Sequence, residues 1–297
     1  MRARWQETRE AFTRGWYAAE GVEADISAGV AAMRAGTRLY SAEDVHGLPA
    51  PRAAYTTRFE VTVESTLEAA ARLSACPQDS RGVAALNFAS ARNPGGGVAN
   101  GARAQEESLA RSSALYDALV RCPGFYDTHR RQRNLLYTDQ VIYAPSVPVF
   151  RTDNGRWLAD PYPVAFLTSA APNRRMIERD SPQDAHAVPG ALLSRAGGVL
   201  AVAAYHERTR LVLGAWGCGV FGNRPAEVAD AFAHHLLGAF EGVFEHVVFA
   251  ILDRDDAVRT PFHAAFGVPP APPPEPGVCT GGPDRCTHHR TGTAANA

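Results

Sequence analysis

Two adjacent glutamates, Glu106 and Glu107, follow closely on three consecutive glycines, Gly95, Gly96 and Gly97, in the stretch NFASARNPGGGVANGARAQEESLARSS. Carboxylates give and take protons. Glycines let the backbone reach positive φ and let a ligand come close to the main chain. Successive amides of such a turn form a nest for an anion, and a helix amino terminus adds partial positive charge. A phosphate or pyrophosphate held beside a proton donor is the chemistry this combination offers. Acidic residues in a first helical turn also simply complement the macrodipole. The constellation as a whole favours chemistry: strand, Asn93-Pro94, three glycines, seven residues, then Gln105-Glu106-Glu107.

A second glycine-rich loop runs from Gly214 to Gly222. Gly217-Cys218-Gly219-Val220-Phe221-Gly222 fits the dinucleotide pattern G-x-G-x-x-G after a strand. Two features oppose an oxidoreductase. The next acidic strand end, Asp253, lies 31 positions past the last glycine, where the fingerprint asks for about 20. The following helix begins at Pro225, so the glycines do not seat it on the strand.

Both loops need strands to carry them. "GVAALNFAS" reads as a buried strand ending at the first loop, with a helix from Gln105 to about Val120 after it. "RLVLGAW" leads into the second loop, and residues 225–242 form a helix with Val228, Phe232, Leu236 and Phe240 as its buried stripe. "RFEVTVES", "VAFLTSAAPN" and "HVVFAILD" are further strands, and residues 66–75 and 188–207 are helical. "VIYAPSVPVFRTD" is β-rich, but its prolines predict an edge or irregular segment. Residues 3–20 read as one amphipathic helix through Trp5, Phe12 and Trp16. Residues 21–57 read as a second helix plus a polar connection broken at Pro49 and Pro51. The alternation predicts a three-layer α/β/α domain with a mixed central sheet, whose ligands bind beyond the carboxyl ends of the strands. The expected organisation is an N-terminal helical segment over 1–57, a catalytic domain over 58–268, and a Pro-rich linker and tail over 269–297.

The 297 residues carry a formal net charge of −1, 45% hydrophobic and 21% charged residues. No global basic field for gripping DNA exists. The charged amino terminus is no signal peptide, and no apolar run reaches the roughly 18 residues of a membrane helix. Five cysteines without framework spacing indicate a reducing, cytoplasmic setting. Cys279, Cys286, His288 and His289 match no standard zinc spacing, and no metal or cofactor is expected.

The glycine triplet, its spacer and Gln105-Glu106-Glu107 together resemble the signature of poly(ADP-ribose) glycohydrolases. The remainder of residues 1–268 is similar to their bacterial branch, a macrodomain with an added N-terminal segment, and "GAWGCGVFGN" is similar to the family's diphosphate loop. The resemblance implies hydrolysis of the ribose–ribose O-glycosidic bond of poly(ADP-ribose), from chain ends, releasing ADP-ribose. It implies that Glu107 is the proton donor and Glu106 a hydrogen-bond partner of ribose hydroxyls. Gln105 would position the loop or the substrate. Gly95, Gly96 and Gly97, with Asn93 and Val98 beside them, would hold the terminal ribose. Gly214, Gly217, Cys218, Gly219, Val220, Gly222 and Asn223 would hold the pyrophosphate, and Phe221 would pack on the ribose. "TSAAPN" (168–173) is expected on the adenine side. ADP-ribosylated proteins are the implied partners, without direct DNA or membrane contact, and recovery from genotoxic stress the implied role.

Glycosidases usually bracket the bond with carboxyl groups about 5–9.5 Å apart. Neighbouring residues have Cα atoms about 3.8 Å apart and point about 100° apart on a helix. One glutamate acting first as acid and then as base fits better. A helix amino terminus favours the ionised form, so Glu107 is expected to hold its proton mainly once substrate and pyrophosphate cover it. Two other readings stay open. One is a macrodomain reader that binds ADP-ribose without turnover, for which a proton donor has no use. The other is a hydrolase of mono-ADP-ribose on side chains.

Overall fold

The computed structural model describes residues 1–75, 82–132, 134–253 and 256–270. The linker and tail beyond, with Cys279, Cys286, His288 and His289, lie outside the described residues.

In chain order the elements are α1 (Arg2–Arg14), β1 (Trp16–Ala19), β2 (Val22–Asp25), α2 (Ser27–Gly36), β3 (Arg38–Tyr40), α3 (Ala42–His46), β4 (Arg58–Thr62), α4 (Thr66–Ser74) and β5 (Val83–Phe88). Then come α5 (Gln105–Ser112), α6 (Leu115–Leu119), α7 (Pro123–Arg131), β6 (Val141–Arg151), β7 (Trp157–Ser169), α8 (Arg174–Asp180) and α9 (Val188–Tyr205). β8 (Arg210–Leu213), α10 (Pro225–Leu236), β9 (His246–Ala250) and α11 (Asp256–Phe266) complete the fold.

Seven strands form one sheet in the order β3-β6-β7-β5-β8-β9-β4. β7, β5, β8, β9 and β4 run parallel, and β6 is antiparallel to β3 and β7. One apolar layer, with α1, α2 and α4 to α7, covers one face. The other, with α9, α10 and α11, covers the opposite face. This is the expected three-layer architecture with a mixed sheet. Helix α9, with the turn before it, is long and apolar enough to cross a membrane by composition. Its apolar character serves packing: Leu192, Val199, Leu200 and Val202 are buried against the sheet and α10. The buried stripe of α10 is as expected at Val228, Phe232 and Leu236, but the helix ends at Leu236 and does not run on to 242, and Phe240 is buried from the turn that follows.

Three local expectations are corrected. The first helix stops at Arg14, because Gly15 takes φ 85° and its amide bonds back to Ala11. Trp16 therefore starts a hairpin strand and not a fourth helical turn. The helix expected over 105–120 is broken at Ser113, which is extended (φ −149°, ψ 177°) and bridges to Val149 of β6. Strand β6 is internal at its start, where β3 flanks it, while the irregularity its prolines predict is present as register shifts between Ala144 and Val147 and between Val149 and Arg151. β3 covers only Val141 to Tyr143, so Pro145 and Pro148 lie past it, under Gly36 and Gly29 of α2, where no ladder partner needs their missing amides.

The N-terminal elements are tied to what lies far along the chain. Thr8 Oγ1 donates to the carbonyl of Arg111 on α5 at 2.6 Å. Arg151 on β6 pairs with Glu7, and the Tyr17 hydroxyl donates to Leu158 O at 2.7 Å. Trp5 and Phe12 share the apolar layer with Leu109 and Ala110 of α5. The helix bearing the carboxylate pair is thus backed by the first helix of the chain.

Candidate active site

β5 lies within the parallel core of the sheet, between β7 and β8, and the chain leaves it through a turn built on glycine. Ser90 Oγ accepts from the amide of Asn93 at 3.2 Å, and Asn93 O accepts from Gly96 N at 3.0 Å. Gly95 and Gly96 hold φ 66° and 57°. The turn then folds back over the start of α5, where Gly97 N donates to Glu107 Oε1 at 2.8 Å. A Cβ at Gly96 would collide with that oxygen and stand 3.2 Å from Glu106 Oε2. Glycine is required here because the backbone passes directly over both carboxylates.

The two glutamates have different surroundings. Glu106 is 3% exposed; its oxygens accept from Ser90 N at 2.7 Å and Asn87 Nδ2 at 3.3 Å. Burial dominates these bonds and pushes its pKa up to about 8, so the carboxyl holds a proton near neutrality. Glu107 is 7% exposed; Oε1 is fixed by Gly97, and Oε2 is buried without a partner.

Gln105 is the brace of this corner. Its Oε1 accepts from Phe88 N at 2.9 Å, and its Nε2 donates to Leu86 O at 2.8 Å and Thr66 Oγ1 at 3.1 Å. All of its amide capacity goes to β5 and α4, so it positions the loop and has little left for a ligand.

The second loop is closed by Asn223, whose N donates to Gly217 O and whose Nδ2 donates to Pro172 O, at 3.0 and 3.1 Å. Gly217 and Gly222 hold φ 73° and 71°, while a Cβ on Gly219 would meet nothing within 4 Å. Gly219 is where a ligand can reach the main chain. Trp216 Nε1 pins the loop to Ser169 O at 3.3 Å. Burial pushes the Cys218 thiol up to about 12, which denies it a nucleophile's role.

Two cavities meet at Phe88, Gln105, Ala215 and Gly219. One, of about 290 Å³, is walled by Ala171, Trp216, Gly217, Val220 and Phe221. The other, of about 320 Å³, is lined by Glu64, Ser65, Arg103, Cys218, Ile251 and Asp253 among others. The segment 168–173 reaches the first cavity through Ala171, and otherwise holds the second loop through the carbonyls of Ser169 and Pro172. Gly217, Cys218, Gly219, Val220, Phe221 and Gln105 face the cavities. Gly214 and Asn223 sit behind them, Gly214 against Ala250 and Asn223 buried at 2% exposure. Val98 is buried under the glycine turn and Asn93 braces it from an exposed position. The carboxylates lie one and two residues beyond Gln105, beneath the turn.

Asn87 and Ser90 are functional neighbours that motif reasoning missed, and Thr168, at the head of the 168–173 segment, joins them. Asn87 joins Glu106 to Thr168 Oγ1 at 3.2 Å, and its Oδ1 remains unpartnered. The available signal was a lone amide in the apolar run VAALNF, since a buried polar group needs partners.

Burial of Glu106 has a measurable cost. Its folded pKa lies above that of an unfolded glutamate, so folding stability falls as pH rises between the two values, by up to about 1.4 kcal/mol per pH unit. Glu106→Gln is therefore expected to raise the melting temperature at pH 8 and to do so less at pH 5. Denaturation scans of both proteins across that range check it; a gain independent of pH would show that Glu106 is not the titrating group.

The microbial-type PARG catalytic domain matches residues 5–152 of the chain. No curated protein matches it. Among solved structures, the poly(ADP-ribose) glycohydrolase of Thermomonospora curvata is 52% identical, with a TM-score of 0.82 over 90% of this chain and 97% of that one. The same enzyme bound to the inhibitor ADP-HPD aligns with a TM-score of 0.81 at 52% identity, over the same shares of both chains. The poly(ADP-ribose) glycohydrolase of Deinococcus radiodurans in complex with ADP-ribose is 45% identical, with a TM-score of 0.74 over 80% of this chain and 96% of that one.

Proposed function

The chain belongs to the microbial-type poly(ADP-ribose) glycohydrolase family, and from that premise we propose that it hydrolyses the ribose–ribose O-glycosidic bond of poly(ADP-ribose) with Glu107 as its single acid and base. The observation that carries this reading is the asymmetry of Glu107: one oxygen is held by Gly97, the other is buried and free. A lone carboxyl needs one oxygen fixed for aim and one available for the proton. It protonates the leaving 2′ oxygen, an oxocarbenium-like sugar forms, and the resulting carboxylate takes a proton from the attacking water. Glu106, protonated and held by Asn87 and Ser90, is suited to orient the ribose hydroxyls. Exposed amides of Gly219 and its neighbours suit the pyrophosphate.

Attack at chain ends is supported by the smaller cavity. Its volume of about 290 Å³, walled by Trp216 and Phe221, suits one ribose with its phosphates and leaves little room for a chain running through. Timed digestion of a long defined polymer tests this. ADP-ribose monomer should dominate from the first turnovers, and early release of oligomers would overturn end-only cleavage.

A further inference from the structure

Beyond Phe221 stands a patch of side chains to which the reaction so far gives no role. Tyr137 holds φ 61°, a conformation rare for a bulky residue. Its loop is held from several sides. Arg195, 1% exposed, reaches from α9 to donate to Asp139 Oδ1 at 3.1 Å, Leu136 O at 2.9 Å and Ala170 O at 2.6 Å. Fully buried His129 accepts from Thr138 N at 3.2 Å, and Asn173 N donates to Leu135 O at 3.0 Å. Backbone strain persists where surroundings enforce it, and it gathers at ligand sites.

What this scaffolding achieves is the placement of one ring. Tyr137 is half-buried, 6.4 Å from the Phe221 ring at 48°, with Asn173 and Arg92 acting on its hydroxyl. Arg175 adjoins the same place: its amide donates to Phe221 O at 2.9 Å, and its Cβ lies against Gly222. Arg92 and Arg175 are exposed, and neither guanidinium is held in a hydrogen bond or ion pair among the described residues. Their neighbours Arg174 and Arg195 are both buried in ion pairs. An aromatic face beside two free guanidinium groups is what a stacked base with flanking phosphates requires.

We propose that Tyr137, Arg92 and Arg175 form a second subsite, which takes the ADP-ribose unit on the leaving side of the scissile bond. The unit's purine stacks on Tyr137 and its pyrophosphate pairs with the two arginines. The inference rests on the glycohydrolase reading above, because only a polymer substrate has such a unit.

The test uses the full chain carrying Glu107→Gln, which separates binding from turnover, with a short linear ADP-ribose oligomer and ADP-ribose itself as probes. Arg92→Gln, Arg175→Gln and Tyr137→Asn are added singly; asparagine tolerates the left-handed backbone. Oligomer affinity should fall about tenfold for each, in keeping with stacking and charge contacts of this kind. ADP-ribose affinity should stay within about twofold, and Tyr137→Phe should bind oligomer as the parent does. Each lost arginine should also flatten the log–log salt dependence by about 0.7. A parallel loss of ADP-ribose affinity would place these residues in the first site and overturn the proposal, as would unchanged oligomer binding. If the unmutated protein left polymer intact while this binding pattern held, the catalytic reading would fail and the subsite would stand.

Discussion

Glu107→Gln should lower release of ADP-ribose from defined poly(ADP-ribose) by about 10²-fold or more, the usual scale for losing a positioned acid–base group, while ADP-ribose still binds. Glutamine keeps the Oε1 acceptor that Gly97 N donates to, so the glycine turn stays in place. What disappears is the proton at the free oxygen. Turnover and calorimetric binding, measured on the same preparation, distinguish a chemical loss from a structural one. Turnover within about tenfold of the parent would remove Glu107 from the chemistry and return the pair to the role of helix-capping residues.

Gly96→Ala should be nearly as damaging, for a reason unrelated to proton transfer. The new methyl would press on Glu107 Oε1 and approach Glu106 Oε2, at a φ that L residues resist. The backbone cost is about 1–2 kcal/mol. Displacing the carboxylates by even an ångström is expected to cost about 10²-fold in rate. Gly101→Ala provides the control. Gly101 has φ 87°, but a Cβ there has no neighbour closer than 3.5 Å. It should lose similar stability and retain activity. If both variants lost activity equally, backbone strain alone would explain the result and the contact with Glu107 would carry no weight.

The site was largely legible in the sequence because its parts are local. A glycine turn, a spacer and a helix start lie within one short stretch, and the side chains there meet because the backbone has few other paths. The alternation of strands and helices likewise revealed the layers. What escaped depends on distant partners. Ser113 breaks a helix whose own propensities would continue it, because Val149 of β6 offers a bridge. The prolines of β6 look like edge signals until the brevity of β3 is known. Asn87 reads as an anomaly in a strand until Glu106 is brought above it. Tyr137 has no local mark at all; its backbone is imposed by Arg195 and His129 from separate helices. The early end of α1 is a different case. Gly15 is the standard stop for a helix, but the spacing of Trp5, Phe12 and Trp16 suggested continuation past it.

The anchoring of the first helix bears on how the chain is made. Its partners on Arg111 and Arg151 lie 103 and 144 residues downstream of Thr8 and Glu7. At about 5–20 residues per second, synthesis leaves Trp5 and Phe12 without their binding face for roughly 5–30 seconds. A growing chain therefore carries an amphipathic helix with its Trp5–Phe12 stripe uncovered at its leading end until the sheet is mostly translated. Chaperone engagement should concentrate there, and slowing translation before residue 150 should raise aggregation more than slowing it afterwards.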